Sequence, residues 1–240
     1  ALNGVLACEE NMPGIPQVCV FDTSYHQTMD PTHYMYAIPY EDYEKYKVRR
    51  YGAHGTSHKF VAKEVAKLMD KPLEDLKIIT CHLGNGASVS AINGGKIVDT
   101  SMGFTPLEGL VMGTRTGDID PAAVLFLMKQ KGMSVEETDD YLNKQSGLLG
   151  VSGLSNDFRD IEGAMDEGHE RAQLAYDMFA LRVKKYIGAY IAELNGFDAI
   201  AFTAGIGEND DRIRASICEN MENLGLAIDL DNNRGCRKQA

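Results

Sequence analysis

Several short segments of the chain carry side chains whose types and spacing could do chemistry. In Cys81-His82-Leu83-Gly84-Asn85-Gly86-Ala87-Ser88, glycines flank an asparagine. Glycine has no Cβ to keep a ligand off the backbone. Free N–H groups and the Asn85 amide can then face phosphate oxygens. The same residues also read as a tight turn, because Asn-Gly is a turn dipeptide. In Thr203-Ala204-Gly205-Ile206-Gly207-Glu208-Asn209 the glycines join a strand to a helix. A helix start offers unpaired N–H groups and a positive dipole end to a phosphate. Asp210 stands where the dinucleotide pattern needs a further glycine, and no P-loop signature occurs. A Rossmann dehydrogenase and a P-loop enzyme are therefore disfavoured. A loop that only turns the chain is the other reading.

Arg115 lies between Gly113 and Gly117. Guanidinium matches phosphate or carboxylate with paired hydrogen bonds, although a lone loop arginine is usually a solvated surface group. His54 and His58 are four apart, a metal-ligand spacing on a helix. Gly55 separates them and Ser57 reads as an N-cap, so only His58 falls clearly in the helix. No third ligand is placed for zinc. His54 then reads as a loop hydrogen-bond donor and His58 as a packed or capping histidine. Asp22 closes an apolar stretch, where it binds a hydrated metal or orients a nucleophile, or merely caps a turn. Asp157, Phe158 and Arg159 precede a helix. Phe and Arg can stack on a base, or be core and surface residues respectively. His26, His33 and His169 have no companions that suggest chemistry.

These residues need elements to hold them. Residues 17–22 read as a short buried strand ending in Asp22, followed by an irregular Tyr-rich stretch with Pro31 and Pro39. Residues 57–68 read as a helix with Phe60, Val61, Val65 and Leu68 on its buried side. Strands are expected at 77–81, 87–92 and 96–100, the last two joined by Asn93-Gly94-Gly95. Helices are expected at 121–131 and 134–144, the second with Ser134 and Glu137 as a capping box. Residues 170–194 form a long helix with Tyr176, Phe179, Val183, Ile187, Tyr190, Ile191 and Leu194 at buried spacing. Residues 199–203 read as a strand, and a last helix starts near Asp210. The fold class is α/β with a mixed sheet. Its strand ends, at Asp22, His82 and Gly205, suggest a cleft along one sheet edge.

Composition agrees. The 240 residues are 44% hydrophobic and 25% charged, as in ordinary globular domains. No run approaches the roughly 18 apolar residues of a membrane span. A net charge of −11 argues against non-specific nucleic-acid binding and against anionic membrane surfaces. Five widely spaced cysteines without a CxxC pair suggest free thiols in a reducing cytoplasm rather than disulfides or structural zinc.

Six segments, taken in order, resemble acetate kinases. They are FDTSYHQTM at 21–29, RRYGAHGTSH at 49–58, CHLGNGAS at 81–88, DTSMGFTPLEGLVMGTRTGDIDP at 99–121, SNDFRD at 155–160 and FTAGIGEN at 202–209. The resemblance implies reversible transfer of the ATP γ-phosphoryl group to acetate, with magnesium, by a cytoplasmic homodimer. It also implies a ribonuclease-H-like lobe of the sugar kinase, heat-shock 70 and actin superfamily. Residues 1–25 would end the first, acetate-side lobe. Residues 26–240 would be the second, nucleotide-binding and dimerising lobe, incomplete at its C-terminus.

By motif match, Asp22 is the catalytic aspartate near the metal, Arg115 the catalytic arginine, and His54 the histidine contacting the transferring phosphoryl group. His82, Asn85 and Gly86 belong to the phosphate-binding turn. Asp157, Phe158 and Arg159 contact adenosine, Gly205, Ile206, Gly207, Glu208 and Asn209 form the nucleotide loop, and Pro106 lines the acetate-methyl pocket. Ala53 departs from the family's phenylalanine there, which leaves propionate or butyrate as alternative acceptors. A non-catalytic nucleotide-binding module is the other alternative. The family's second arginine, its first-lobe asparagine and its C-terminal glutamate have no counterpart here, so the chain alone is expected to be inactive.

The chemistry is consistent with these side chains. Acetate is already ionised at pH 7, given a carboxyl pKa of about 4. It needs in-line placement and cancellation of charge rather than a strong base.

Overall fold

The computed structural model describes residues 2–236 of the chain. Helices α1 (Leu2–Asn11), α2 (Pro31–Tyr34), α3 (Tyr40–Tyr46) and α4 (Gly55–Leu68) precede strands β1 (Lys77–Leu83), β2 (Ala87–Asn93) and β3 (Lys96–Thr100). Helices α5 (Pro121–Lys131), α6 (Val135–Lys144), α7 (Gly147–Ser152), α8 (Phe158–Asp166) and α9 (Glu170–Leu194) follow. Strand β4 (Ala199–Thr203) and helices α10 (Ala204–Asn209), α11 (Asp211–Cys218) and α12 (Leu230–Gly235) complete the described chain.

The four strands form one mixed sheet in the order β3-β2-β1-β4. β1 pairs antiparallel with β2 and parallel with β4. This is the expected α/β class. The β2–β3 hairpin turns at Asn93-Gly94-Gly95, where both glycines take positive φ, 56° and 75°, a conformation other residues resist.

Alternation along β1 sends its side chains to two different layers. Ile79, Cys81 and Leu83 join the larger apolar cluster with Phe179, Val183 and Ile187 of α9. Ile78 joins a smaller cluster with Ala62 and Ala66 of α4. The sheet is therefore covered on both faces, which is why Ile78 and Ile79 are both fully buried. All seven predicted α9 residues are buried. Each large apolar side chain so removed from water contributes roughly 1.5–3 kcal/mol. The predicted capping box is present, with Ser134 accepting from Glu137 N–H and Glu137 reaching back to the Ser134 amide.

Three local expectations are corrected. Residues 17–22 are not a strand: they pair with neither edge of the sheet, and Val18, Val20 and Phe21 are exposed. β-propensity needs a partner ladder to be realised. Helix α4 buries Gly55, His58, Ala62 and Ala66, while Phe60 and Leu68 point outward. The small residues let the helix lie close on the sheet, and His58 is drawn inward by its hydrogen bonds. The helix begins at Gly55 with His54 at the N-cap position, not at Ser57. Finally, the glycine segment after β4 is itself a helix, α10, entered through Ala204 at φ 66°. The last predicted helix starts at Asp211, with Asp210 as its N-cap.

Candidate active site

The start of α4 is tied to the segment carrying Asp22. The Gly55 amide donates to the Asp22 carbonyl at 2.8 Å, and the His54 amide donates to Asp22 Oδ2 at 2.5 Å. A Cβ on Gly55 would run into the Asp22 carbonyl, so this approach requires glycine. His54 itself sits at φ 60°, a region uncommon for residues other than glycine. That backbone turn lays its imidazole over His82, with ring centres 4.0 Å apart and planes at 25°. His82 is steadied by Ser57, whose hydroxyl lies 2.9 Å from its Nδ1. Thus Ser57 holds a histidine rather than capping the helix.

His54 Nδ1 lies 2.8 Å from Ser88 Oγ, which leaves Nε2 for the cleft. A Cβ built on Gly86 would lie 3.7 Å from His54 Nε2 and 3.5 Å from Arg115 Nη1. The two nitrogens therefore converge over a glycine whose missing side chain leaves room for a reacting group. Burial pushes His54 down to about 4, with His82 and Arg115 also opposing protonation and Asp22 favouring it. His82 is lowered as well, chiefly by burial. At pH 7 His54 is a neutral hydrogen-bonding group, and the positive charge belongs to Arg115.

The Arg115 loop is braced by the start of α7. Leu148 N–H donates to Met112 carbonyl at 2.8 Å, Leu149 N–H to Gly113 at 3.0 Å, and Ser146 N–H to Thr114 at 3.0 Å. Arg115 Nη1 donates to the Pro106 carbonyl at 3.2 Å. Pro106 therefore orients the arginine in this structure, in addition to its expected place in a substrate wall. Ala53 is buried within the larger apolar cluster.

Beside this centre lies a cleft of about 560 Å3, within the usual range for small-molecule sites. Asn85 bounds it at the β1–β2 turn, and Asp157, Phe158 and Arg159 at the start of α8. Gly205, Ile206 and Asn209 of α10 form the facing wall. Gly207 and Glu208 do not line it. The Gly207 carbonyl accepts from Arg214, and Glu208 accepts from Thr203. Helical winding turns them away from the cleft. Phe158 packs on Tyr176 and Phe179 at 5.5 and 5.2 Å between ring centres, so it is a core residue that also shows a face to the cleft. Arg159 is exposed and grips Asp157 through Nε and Nη2, at 3.0 and 2.6 Å. Those bonds hold the Asp157 carboxyl down at about 2.

Gly84, Asn156, Glu162 and Asp210 also line the cleft. Asn156 donates to Asn85 Oδ1 at 3.0 Å. Glu162 follows Phe158 by four residues, a helical spacing that could have signalled it. Burial, with Asp210 nearby, lifts its carboxyl to about 7. His169 caps α9 by accepting from the Ala172 amide, and His33 faces Glu193, so neither takes part. His26 is buried, its ring nitrogens unpartnered among the described residues.

Among the described residues no cluster of three or more His, Cys, Asp or Glu could hold a metal ion. Asp22 alone still suits magnesium, which usually keeps several waters and binds one or two carboxylates plus substrate phosphates. Asp22 is exposed and its Oδ2 is engaged by His54, which leaves the other oxygen for such a hydrated ion. Among the described residues no helix is long and apolar enough to cross a membrane.

Known proteins share this sequence and fold. The chain is 63% identical to an acetate kinase of Halothermothrix orenii over 98% of its own length and 59% of that enzyme's. It superposes on the crystal structure of Porphyromonas gingivalis acetate kinase with a TM-score of 0.95 at 48% identity, covering 99% of this chain and 60% of that one. A propionate kinase from Francisella tularensis gives 0.93 at 46%, covering 98% and 60%. The chain thus spans about three-fifths of the length of these relatives. The model of the acetokinase family matches residues 1–240, and with the geometry around His54, Asp22 and Arg115 it follows that the chain belongs to that family.

Proposed function

We propose that the chain carries the phosphoryl-transfer centre and nucleotide site of an acetate kinase, which moves the γ-phosphoryl group of ATP reversibly to acetate. The observation that supports this most is the convergence of His54 Nε2 and Arg115 Nη1 over Gly86, beside the 560 Å3 cleft. An anionic nucleophile meets an anionic phosphoryl group, so fixed donors and positive charge lower the barrier. Arg115 supplies the charge, His54 a neutral donor, and Asn85 with Asn156 a polar edge for phosphate oxygens. Asp157, Phe158, Arg159, Gly205, Ile206 and Asn209 bound the space for the nucleoside. Asp22 would hold magnesium through its waters, and the ion would offset charge on the transferring group.

Residues 1–25 would end an acetate-side lobe and residues 26–240 would form the nucleotide-binding lobe. In support, α1 buries no residue, and the first buried apolar residue of either cluster is Met29. The enzyme would act in the cytoplasm. Propionate is the second reading, favoured by the fit to the Francisella tularensis propionate kinase.

To test the activity, the chain is placed in the matching span of Halothermothrix orenii acetate kinase. Acetyl phosphate is then measured as its hydroxamate. ATP- and acetate-dependent product is expected, with propionate a poorer acceptor. A folded hybrid that binds ATP but yields no acyl phosphate would leave only a nucleotide-binding module.

The chain would also pair with a second copy. Leu174, Met178 and Leu181 form an exposed stripe on the outer side of α9, opposite its buried stripe. Exposed apolar stripes of this kind mark association surfaces. Sedimentation velocity should show a dimer that becomes monomeric in Leu174→Glu/Leu181→Glu. A dimer unchanged by both charges would move the interface elsewhere.

A further inference from the structure

A line of buried polar groups runs from the middle of the sheet to His54. Thr80 on β1 and Ser88 on β2 are fully buried, as is His58 of α4. Thr80 Oγ1 lies 2.7 Å from His58 Nδ1, His58 Nε2 lies 2.8 Å from Ser88 Oγ, and Ser88 Oγ lies 2.8 Å from His54 Nδ1. Each histidine nitrogen in the line has one partner, and the two rings are bridged by a single hydroxyl.

Only one direction satisfies every hydrogen. Thr80 Oγ1 has no other partner among the described residues. If His58 Nδ1 carried the proton, the Thr80 hydroxyl hydrogen would be buried without an acceptor, which native interiors avoid. Thr80 therefore donates to His58 Nδ1. The His58 proton then sits on Nε2 and is donated to Ser88, which has one hydrogen to give. Ser88 gives it to His54 Nδ1, and the His54 proton is left on Nε2.

We infer that Thr80, His58 and Ser88 are positioning residues that hold His54 in the Nε2–H tautomer, so that it presents a hydrogen-bond donor, not an acceptor, beside Arg115. Its use in catalysis rests on the proposed function, in which that donor meets an oxygen of the transferring phosphoryl group. Burial keeps His58 neutral, and a His54 Nδ1 that accepts the Ser88 hydrogen carries no proton of its own. A neutral imidazole is otherwise free to present either nitrogen.

The test is a 15N NMR measurement of the histidine nitrogens in the 240-residue chain. Native His54 should show a protonated Nε2 and an unprotonated Nδ1. In Ser88→Ala this preference should relax toward a mixture. In the hybrid enzyme described above, Ser88→Ala should lower kcat roughly 10–100-fold, the usual size of an outer-sphere effect, with KM for ATP within about twofold. Ser90→Ala serves as the control. Ser90 is equally buried on β2 but bonds to Thr100, so a merely structural loss would affect both variants alike. A native His54 protonated on Nδ1, or a tautomer unmoved by Ser88→Ala, would overturn the inference. His54→Ala in the hybrid separates the two ideas. Full activity there, with the Nε2–H tautomer still seen in the native chain, would refute the phosphoryl contact and leave the hydrogen-bond line standing.

Discussion

Arg115→Ala in the hybrid enzyme should lower kcat by about 10³-fold or more, the scale seen when an arginine is removed from a phosphoryl-transfer centre. KM for ATP should change only a few-fold, because the cleft proposed for the nucleoside is bounded by other residues. The size follows from how the guanidinium is held. Its loop is fastened to α7 through three main-chain hydrogen bonds at Met112, Gly113 and Thr114. Gly147 permits that contact, since a Cβ there would collide with the Met112 and Arg115 carbonyls. Charge fixed in advance needs no reorganisation as negative charge builds on the transferring group. Arg115→Lys should recover only part of the loss, since an ammonium lacks the planar fork. Steady-state kinetics decides it: a kcat within threefold of native in Arg115→Ala would remove this residue from the transition state.

Arg50→Met is expected to be the most damaging single change to stability. Arg50 Nη1 donates to the carbonyls of Thr100, Ser101 and Met102 at 2.9, 3.2 and 3.1 Å, and Nη2 pairs with Glu108 at 2.6 Å. Asp99 lies 3.7 Å from Nε, and the Tyr36 hydroxyl bonds to Glu108 as well. Arg50 thus pins the end of β3 to the segment that leads to the Arg115 loop. Removing it strands two partly buried carboxylates, a loss of about 3–5 kcal/mol when one partner of such a pair is deleted. For a chain of this size that lowers the thermal midpoint by roughly 10 °C. Differential scanning calorimetry would show this directly. A shift below about 2 °C would mean that water replaces the guanidinium at little cost.

Elements with a self-contained pattern were legible in the sequence. Helix α9 announces itself by seven apolar residues at helical spacing, and the β2–β3 hairpin by Asn93-Gly94-Gly95. Both are local signals whose meaning does not depend on distant chain. Residues 17–22 have strand-like composition but no ladder to join. The α4 face was misread because hydropathy favours Phe60 and Leu68. The helix instead follows Ala62, Ala66 and a histidine whose two ring nitrogens are both hydrogen-bonded. In the site, chemical type raised Arg115 and His54 as candidates, but not that they converge over Gly86. Gly207 and Glu208 were read with their neighbours as one loop, and a helical turn separates them from the cleft. Glu162 and Asn156 carry no distinctive signal as residue types. The bond from Asn156 to Asn85 at the β1–β2 turn, with α8 starting just beyond it, brings them to the cleft.

The parallel pairing of β1 with β4 also sets an order of assembly. β1, β2 and β3 are joined by short turns, whereas β1 ends at Leu83 and β4 begins at Ala199. Closing so long a loop is slow more than it is costly, since each doubling adds only about 0.6 kcal/mol, while distant pairings lengthen the search. The cleft takes one wall from Asn85 on the early hairpin and the other from Gly205 and Ile206 just after β4. Its two sides therefore meet only when this last closure is made. Under the proposed function, a nucleotide spanning them would bind the closed sheet and not the open chain. At 100 times its dissociation constant it would add about 2.7 kcal/mol in favour of this long-range pairing.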